Sequence, residues 1–365
     1  MSQPHTTRPD GMTGLLENPE TGPRLVPFPS FGYHEPDGWW RLNVAGIVRQ
    51  PFAPTLRKRM LIGMLGNVMQ ASEQDRASER FRRRVTSFVM DGAAGLNVQC
   101  SLGEQIFALK KRTRRNGHYF GWVAIPNKQV EQLASSVSGQ FPQLSLGVSV
   151  ESELNGESTI QLIPRRGVSV VSDIDDTIKE SSIRDRRELL ANTFLRDFRA
   201  VPGMPAVYRA WQQLGIPVHY VSSSPWQLLP WIDEMLQVQQ FPAGSLHLRN
   251  FRLRTHMLQK LIRFRRSGKG AAIRMLMSKF PERRFIFVGD SGEKDLEIYR
   301  KLAVKFPDQV LAILIRNLAD HPLDPERLER SRAGLNGVSV SCFESAEELQ
   351  TQVAPLLAGE LALAR

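Results

Sequence analysis

Val168-Ser-Val-Val-Ser-Asp173-Ile-Asp175-Asp176-Thr177 opens as an apolar strand and closes on three carboxylates within four residues. In an open α/β sheet, ligands bind beyond the carboxyl ends of the strands, so these acids stand where chemistry is expected. Three such acids repel one another unless a cation lies among them. Mg2+ suits a site of oxygen ligands with few protein carboxylates. Kept ionised by Mg2+, a carboxylate can attack phosphorus. Strand alternation would turn Asp173 and Asp175 to one side, letting two carboxylates address one phosphate.

Working outward, residues 167–365 alternate apolar strand runs with helical patterns. The runs are Val168–Ser172, Val218–Ser222, Leu246–Leu248, Phe285–Val288 and Val310–Ile315. They are continuously apolar, as parallel strands covered on both faces are. The expected fold is α/β with a doubly wound parallel sheet. Two further strand ends carry polar groups. Phe285-Ile-Phe-Val-Gly289-Asp290 leads to Asp295, and Gly289 and Gly292 let the backbone turn close to the strand end. Ser222-Ser223-Ser224-Pro225 offers hydroxyls and a helix N-terminus to an anion. A cation is still needed to offset phosphate and nucleophile, and Lys269, between Gly268 and Gly270 ahead of a helix, is the candidate.

Those motifs, in that order, resemble the haloacid-dehalogenase-like phosphohydrolase superfamily. More narrowly, SDIDDTIKES, HYVSSSPWQL and FIFVGDSGEKDLEIY are similar to the actin-patch-associated phosphatidate phosphatases, in a bacterial-type form. The likeness is good over Gly167–Ile315 and weaker before it. It implies a haloacid-dehalogenase-like domain in which Asp173 forms an aspartyl-phosphate and Asp175 protonates the leaving oxygen, then activates water. It implies that Ser222 and Lys269 hold the phosphoryl group and that Thr177 fixes the loop. Asp173, the backbone carbonyl of Asp175 and Asp290 would bind Mg2+, with Asp295 supporting. Ser223 departs from the family pattern, where asparagine is expected, and bears on substrate contacts only. The implied reaction is phosphatidate to diacylglycerol. A phosphatase of protein or small-molecule phosphates is the alternative, as is a membrane- or protein-binding module with a silent phosphatase fold.

Residues 39–166 read differently. Short strands are expected at Trp40–Val48, Val85–Met90, Leu96–Ser101, Gln105–Leu109, Tyr119–Ile125, Leu144–Val150 and Thr159–Ile163, with a helical segment over about 53–84 and a hairpin turn at Asn116-Gly117. Seven short strands suggest a β-sandwich-like domain preceding the catalytic one. Residues 1–38, rich in Pro, Gly and polar residues, read as an extended tail. The segments after Thr177 and before Lys269 leave no room for a large lid, so the site is expected to be open.

Composition bounds the rest. Apolar residues are 41% and charged residues 23% of 365, ordinary for a folded chain. The net charge of +11 favours acidic partners or is simply a basic surface. Thr55-Leu-Arg57-Lys58-Arg59-Met60 sets basic residues beside an apolar run, either a helix lying on an anionic membrane or a core helix with a charged start. Lys110-Lys-Arg-Thr-Arg-Arg115 grips phosphates or is a solvated turn. Trp226 and Trp231 contact an acyl chain or pack internally. No zinc spacing or RNA-binding signature accompanies these runs, so a nucleic-acid partner is not expected. Cys100 and Cys342 make no metal spacing and fit a reduced, intracellular setting. No signal-peptide run opens the sequence, and no stretch nears the roughly 18 apolar residues of a spanning helix. The expectation is a cytoplasmic protein, at most peripheral to a membrane. Oligomeric state is not legible.

Overall fold

The structure is a computed structural model that describes residues 23–51, 53, 55–134, 141–151, 153–181, 186–249 and 268–363. The Val168 run becomes β9 (Gly167–Ser172), inside a six-stranded sheet. Its companions are β10 (Val218–Pro225), β11 (Gly244–Arg249), β12 (Arg283–Asp290), β13 (Val310–Arg316) and β14 (Ser339–Phe343). The order is β11-β10-β9-β12-β13-β14 and every pairing is parallel. Successive residues of each strand enter opposite cores. Val170, Ile286, Val288 and Leu314 pack on one face, while Val171, Phe285, Phe287 and Ile313 pack on the other. The continuous apolar runs follow from this, because a strand covered twice has no wet side.

The first face is covered by α5 (Arg186–Phe194), α6 (Met204–Gln213), α7 (Leu229–Val238) and α11 (Ala346–Leu363). The second carries α8 (Lys269–Lys279), α9 (Asp295–Lys305) and Leu328 of α10 (Pro325–Arg332). The chain runs outward from β9 through β10 to β11, then returns to β12 on the other flank of β9. Connections therefore diverge above the carboxyl ends of β9 and β12, which opens a crevice there. Asp173 follows the end of β9 and Asp290 closes β12. The strand β14 was not anticipated: its alternation of Ser and apolar residues lacks the continuous run of the inner strands, as suits a strand at the sheet's edge. Ser345 caps α11 through the Glu348 N–H at 3.2 Å, as its spacing suggests, but the Glu348 carboxylate reaches the Glu344 N–H.

The other sheet has eight strands around one core. They are β1 (Arg24–Pro27), β2 (Ser30–His34), β3 (Trp39–Arg49), β4 (Val98–Leu102), β5 (Gln105–Ala108), β6 (His118–Pro126), β7 (Gln143–Val150) and β8 (Leu154–Ile163). All pairings are antiparallel except β2 with β8. Residues 24–34 are therefore not an extended tail. They add two strands, and Phe31 is fully buried against Trp122 and Phe280. The prolines at 27 and 29 that suggested a tail bound these short strands instead. Residues 1–22 of that expected tail lie outside the described residues.

Val85–Met90 is not a strand. Val85–Val89 belongs to α3 (Glu79–Val89), with Met90 as its C-cap; α3 follows α1 (Leu56–Val68) and α2 (Glu73–Ala77) and precedes α4 (Asn127–Leu133). Phe81, Val85, Phe88 and Val89 are buried at helical spacing, and Ser78 caps the helix by accepting from the Phe81 N–H. The 116–117 turn forms, with Gly117 at φ +81°, but it does not close a hairpin. β5 pairs with β4, whereas β6 pairs with β3 along nine residues. A two-residue turn signal marks a reversal without choosing the strand's partner.

The helical insertion is fastened to the parallel-sheet half by α3. Arg84, buried, donates to the carbonyls of Thr193 and Arg196 at 2.9 and 2.7 Å, taking up acceptors at the end of α5. Burial lowers its guanidinium to about 10. Trp226 and Trp231 both pack inward, Trp226 beneath the Arg49 guanidinium and Trp231 on the core of the first face.

Candidate active site

Four elements deliver the site. β9 continues one residue past its end, with the Asp173 N–H donating to the Val288 carbonyl at 2.9 Å, so Asp173 emerges beside β12. The chain then leaves the sheet in a tight loop. Asp176 takes a left-handed φ of 55°, its N–H donates to the Lys179 carbonyl at 2.7 Å, and its own carbonyl accepts from Arg316 at 2.7 Å. Thr177, fully buried, donates to Asp173 Oδ2 at 3.2 Å.

Lys269 is the first residue of α8 and is buried. Its Nζ lies 2.8 Å from Asp173 Oδ1, touches Asp295 more closely still, and is 3.8 Å from Glu293. The Asp173 contact is an ion pair rather than a well-aligned hydrogen bond, which leaves Oδ1 without a donor. Asp295 opens α9 and approaches because residue 289 is glycine: a Cβ there would stand 2.3 Å from Asp295 Oδ2. Asp290 Oδ1 accepts the N–H groups of Gly292 and Glu293 at 2.7 and 3.0 Å, while its Oδ2 is buried without a partner.

Asp173, Asp290 and Asp295 thus offer oxygens within 4.8 Å of one another. Burial, only partly offset by Lys269, raises the Asp173 and Asp290 carboxyls well above the usual range, and the neighbouring acids add to it. Lys269 goes up as well: burial lowers it, but Asp173 and Asp295 outweigh the burial. Glu293 is pushed up to about 7 by burial, against the pull of Lys269 and with Asp295 adding. Lys269 contacts two buried acids, Asp173 and Asp295, and the half-buried Glu293, with the buried Asp290 beside them. An all-oxygen cluster with an orphaned Asp290 Oδ2 fits a hard divalent cation such as Mg2+.

Asp175 is not part of this cluster. Its Oδ1 accepts from Lys179 at 2.7 Å and Ser181 at 2.8 Å, and its Oδ2 accepts from Ser222 at 2.9 Å and Ser224 at 2.6 Å. Burial would raise its carboxyl, but the Lys179 ammonium and the hydrogen bonds from Lys179, Ser224 and Ser181 hold it below the ordinary carboxylate range. The strand alternation expected to align Asp173 with Asp175 stops at Asp173, where the chain leaves the sheet. Ser222 is turned to Asp175, and Ser223 donates to Glu293 at 3.4 Å.

Sequence reasoning missed Lys179, Ser181 and Glu293, and gave Ser224 only as a hydroxyl for an anion rather than as a partner of Asp175. Lys179 had a signal, standing four residues after Asp175 in a tight acidic loop. Glu293 had a weaker one, within the second acidic run. Beside Asp175 and Glu293, Phe88, Leu189, Leu190, Phe194 and Leu228 line an apolar crevice that reaches Ser223 and Ser224. Phe88 comes from the helical insertion. The intervals expected to lack a lid contain residues 182–185 and 250–267, which lie outside the described residues.

Residues 168–317 match the family model for the catalytic domain of phosphatidate phosphatase APP1. The chain is 31% identical over 165 residues to an uncharacterized protein of Schizosaccharomyces pombe. It is 33% identical over 170 residues to phosphatidate phosphatase APP1 of Saccharomyces cerevisiae. Each match takes in 44% of this chain, and 27% and 28% of the respective relatives, so the chain spans little more than a quarter of their length. The PilB minor pilin of Streptococcus sanguinis superposes over 74% of this chain and 88% of its own, but with a TM-score of 0.29 and 8% identity it has no bearing on fold or function.

Proposed function

We propose that this protein is a phosphoric monoester hydrolase that works through an aspartyl-phosphate and converts phosphatidate to diacylglycerol and inorganic phosphate. The observation that carries the reading is the gathering of Asp173, Lys269, Asp290 and Asp295 at two adjacent strand ends, inside the segment that matches the APP1 catalytic domain. The strand order and the helices on both faces support a doubly wound, haloacid-dehalogenase-like domain over residues 167–365. A β-rich domain, expected to span 39–166 and to be sandwich-like, precedes it, with β1 and β2 adding to its sheet before residue 39. The substrate comes from the activity in the yeast relative's name.

Asp173, Asp290 and Asp295 would hold Mg2+, with the Asp175 carbonyl as a further ligand; when bound, the ion offsets the charge of phosphate and nucleophile. Lys269 pulls the Asp173 carboxyl back towards ionisation against its burial and would meet the phosphoryl oxygens. An Asp173 Oδ attacks phosphorus, the bond to the glycerol oxygen breaks, and Asp175 delivers the proton that oxygen requires. Held ionised by Lys179, Asp175 is prepared to be the base of the second step. A dianionic phosphoryl group arriving beside it raises the carboxyl towards protonation for the first. In the second step Asp175 takes a proton from water, which attacks phosphorus and releases Asp173. Ser222 and Ser224 steer Asp175, with Ser222 also reaching the phosphoryl group. The apolar crevice beside Asp175 suits an alkyl leaving group better than a charged one.

A phosphatidate substrate requires work at a lipid surface, reached from the cytoplasmic side by peripheral association. Among the described residues no helix is long and apolar enough to cross a membrane. The test is phosphate release from phosphatidate in mixed micelles with Mg2+, wild type beside Asp173→Asn, with a soluble ester as comparator. Lipid-preferring release that Asp173→Asn abolishes is expected. Activity retained by Asp173→Asn would overturn the nucleophile, and activity on the soluble ester alone would overturn the lipid substrate.

A further inference from the structure

We propose that α1 and the Lys110–Arg115 loop form one docking face for an anionic lipid bilayer, set beside the mouth of the site. The inference rests on the lipid-phosphate reading above and says which surface meets the lipid. The first observation is a stripe on α1. Leu61, Ile62 and Leu65 turn inward, while Leu56, Met60 and Met64 are 77%, 56% and 44% exposed. Spacing of four places these three on one side of the helix, with Arg57 and Arg59 on its two flanks. A core helix exposes polar residues on its outer face; this one exposes long apolar side chains bordered by cations, the arrangement of a helix lying in a lipid headgroup layer.

The second observation is the loop. Lys110, Lys111, Arg112, Arg114 and Arg115 are all exposed, and none of them forms an ion pair among the described residues. The two pieces meet at the end of α3. Lys58 Nζ of α1 reaches Asp91 Oδ2 at 3.0 Å, and a Cβ on the next residue, Gly92, would stand 2.1 Å from the Asn116 carbonyl oxygen. The third observation is proximity to the chemistry. Phe88 of α3 lines one crevice with Asn116 and Trp226, and a second with Asp175, Ser223 and Glu293. A bilayer seated on this face therefore lies next to the crevice suited to an alkyl leaving group. The protein's net charge of +11 adds a long-range pull in the same direction. Nucleic acid would use the cations and have no use for the apolar stripe, so a bilayer accounts for both features.

The test is flotation of the full chain with vesicles of phosphatidylcholine, alone or with phosphatidylglycerol, which is not a phosphate monoester. Binding at least about tenfold stronger to the anionic vesicles, and weakening with salt, is expected. The double variant Met60→Glu/Met64→Glu and the triple variant Lys110→Glu/Lys111→Glu/Arg114→Glu should each lower partitioning at least about tenfold while hydrolysing a soluble phosphate ester at the wild-type rate. Equal binding to both vesicle types overturns the proposal, as does wild-type binding by both variants. So does loss in the charge variant alone combined with competition by an oligonucleotide, which would mark a nucleic-acid face. Binding is read without turnover, so its failure is separate from failure of the phosphatase reading, which Asp173→Asn decides.

Discussion

Lys179 Nζ stands 2.7 Å from Asp175 Oδ1, and both side chains are buried. A second buried lysine, Lys269, is shared by Asp173 and Asp295 in the neighbouring cluster, so Asp173 and Asp175 have different cationic partners. That division separates the proposed nucleophile from the proposed proton carrier. Lys269 neutralises a group that must stay ionised, and Lys179 biases a group that must change state.

Lys179→Met should therefore alter how activity depends on pH. Without the ammonium, burial dominates and the Asp175 carboxyl rises towards and past its ordinary value. The acid limb of kcat should move to higher pH, and kcat at neutral pH should fall about ten- to a hundredfold, in the range of general acid–base catalysis. Stability should change with a definite sign. A depressed folded-state carboxyl stabilises above the unfolded pKa of about 3.9, and that contribution is lost as pH falls below it. The variant should lose about 3 kcal/mol or more at pH 7, because an uncompensated buried carboxylate remains. A pH–rate profile identical to wild type would remove Lys179 from the reaction.

Divalent cations should stabilise this protein, and increasingly so as pH rises. Without metal, Asp173, Asp290 and Glu293 have carboxyls raised above their unfolded values. Raised groups stabilise below the unfolded pKa and lose that contribution as pH climbs, for Glu293 through about 7. Metal-free Tm should fall between about pH 4.5 and 7, and millimolar Mg2+ should restore several degrees at pH 7.5 but little at pH 5. Asp290→Asn keeps the acceptor for Gly292 and Glu293 yet removes a ligand, so it should lose the Mg2+ response while staying folded. Melting scans across pH, with and without Mg2+, decide this; a Tm blind to divalent cations would refute the metal site.

Gly289→Ala tests the close approach of β12 to α9. The added methyl would sit 2.3 Å from Asp295 Oδ2 and 2.7 Å from its Cβ, so Asp295 must leave Lys269 or the helix must shift. A loss of about 1–3 kcal/mol is expected in denaturant titration, with activity falling more than tenfold. An alanine variant as active and stable as wild type would show that Asp295 can relax without consequence.

Much of the site was legible because each motif is local. Asp173, Asp290 and Lys269 were found from the residues that surround them, and the apolar run before each acid identified a buried strand. The errors share one cause: a short pattern does not say what it packs against. Val85–Met90 has strand composition, but Phe81 completes a helical spacing against the α5 side. The 116–117 turn is real, yet β6 was free to choose β3. Phe31 in the supposed tail reads as a strand only once its aromatic neighbours are present.

By itself, the sequence determined that acids end two apolar strands and that serines end a third, because strand burial and strand termini are written in consecutive residues. Only the tertiary structure decided which of those groups share a site. Parallel strands are joined through crossovers, so β9 meets β12 across more than a hundred residues of intervening chain, and nothing local encodes that adjacency. The same folding step brought Asp175 into the reach of Lys179, Ser222 and Ser224. A buried carboxylate goes where its partners are, and those partners were assembled from different loops.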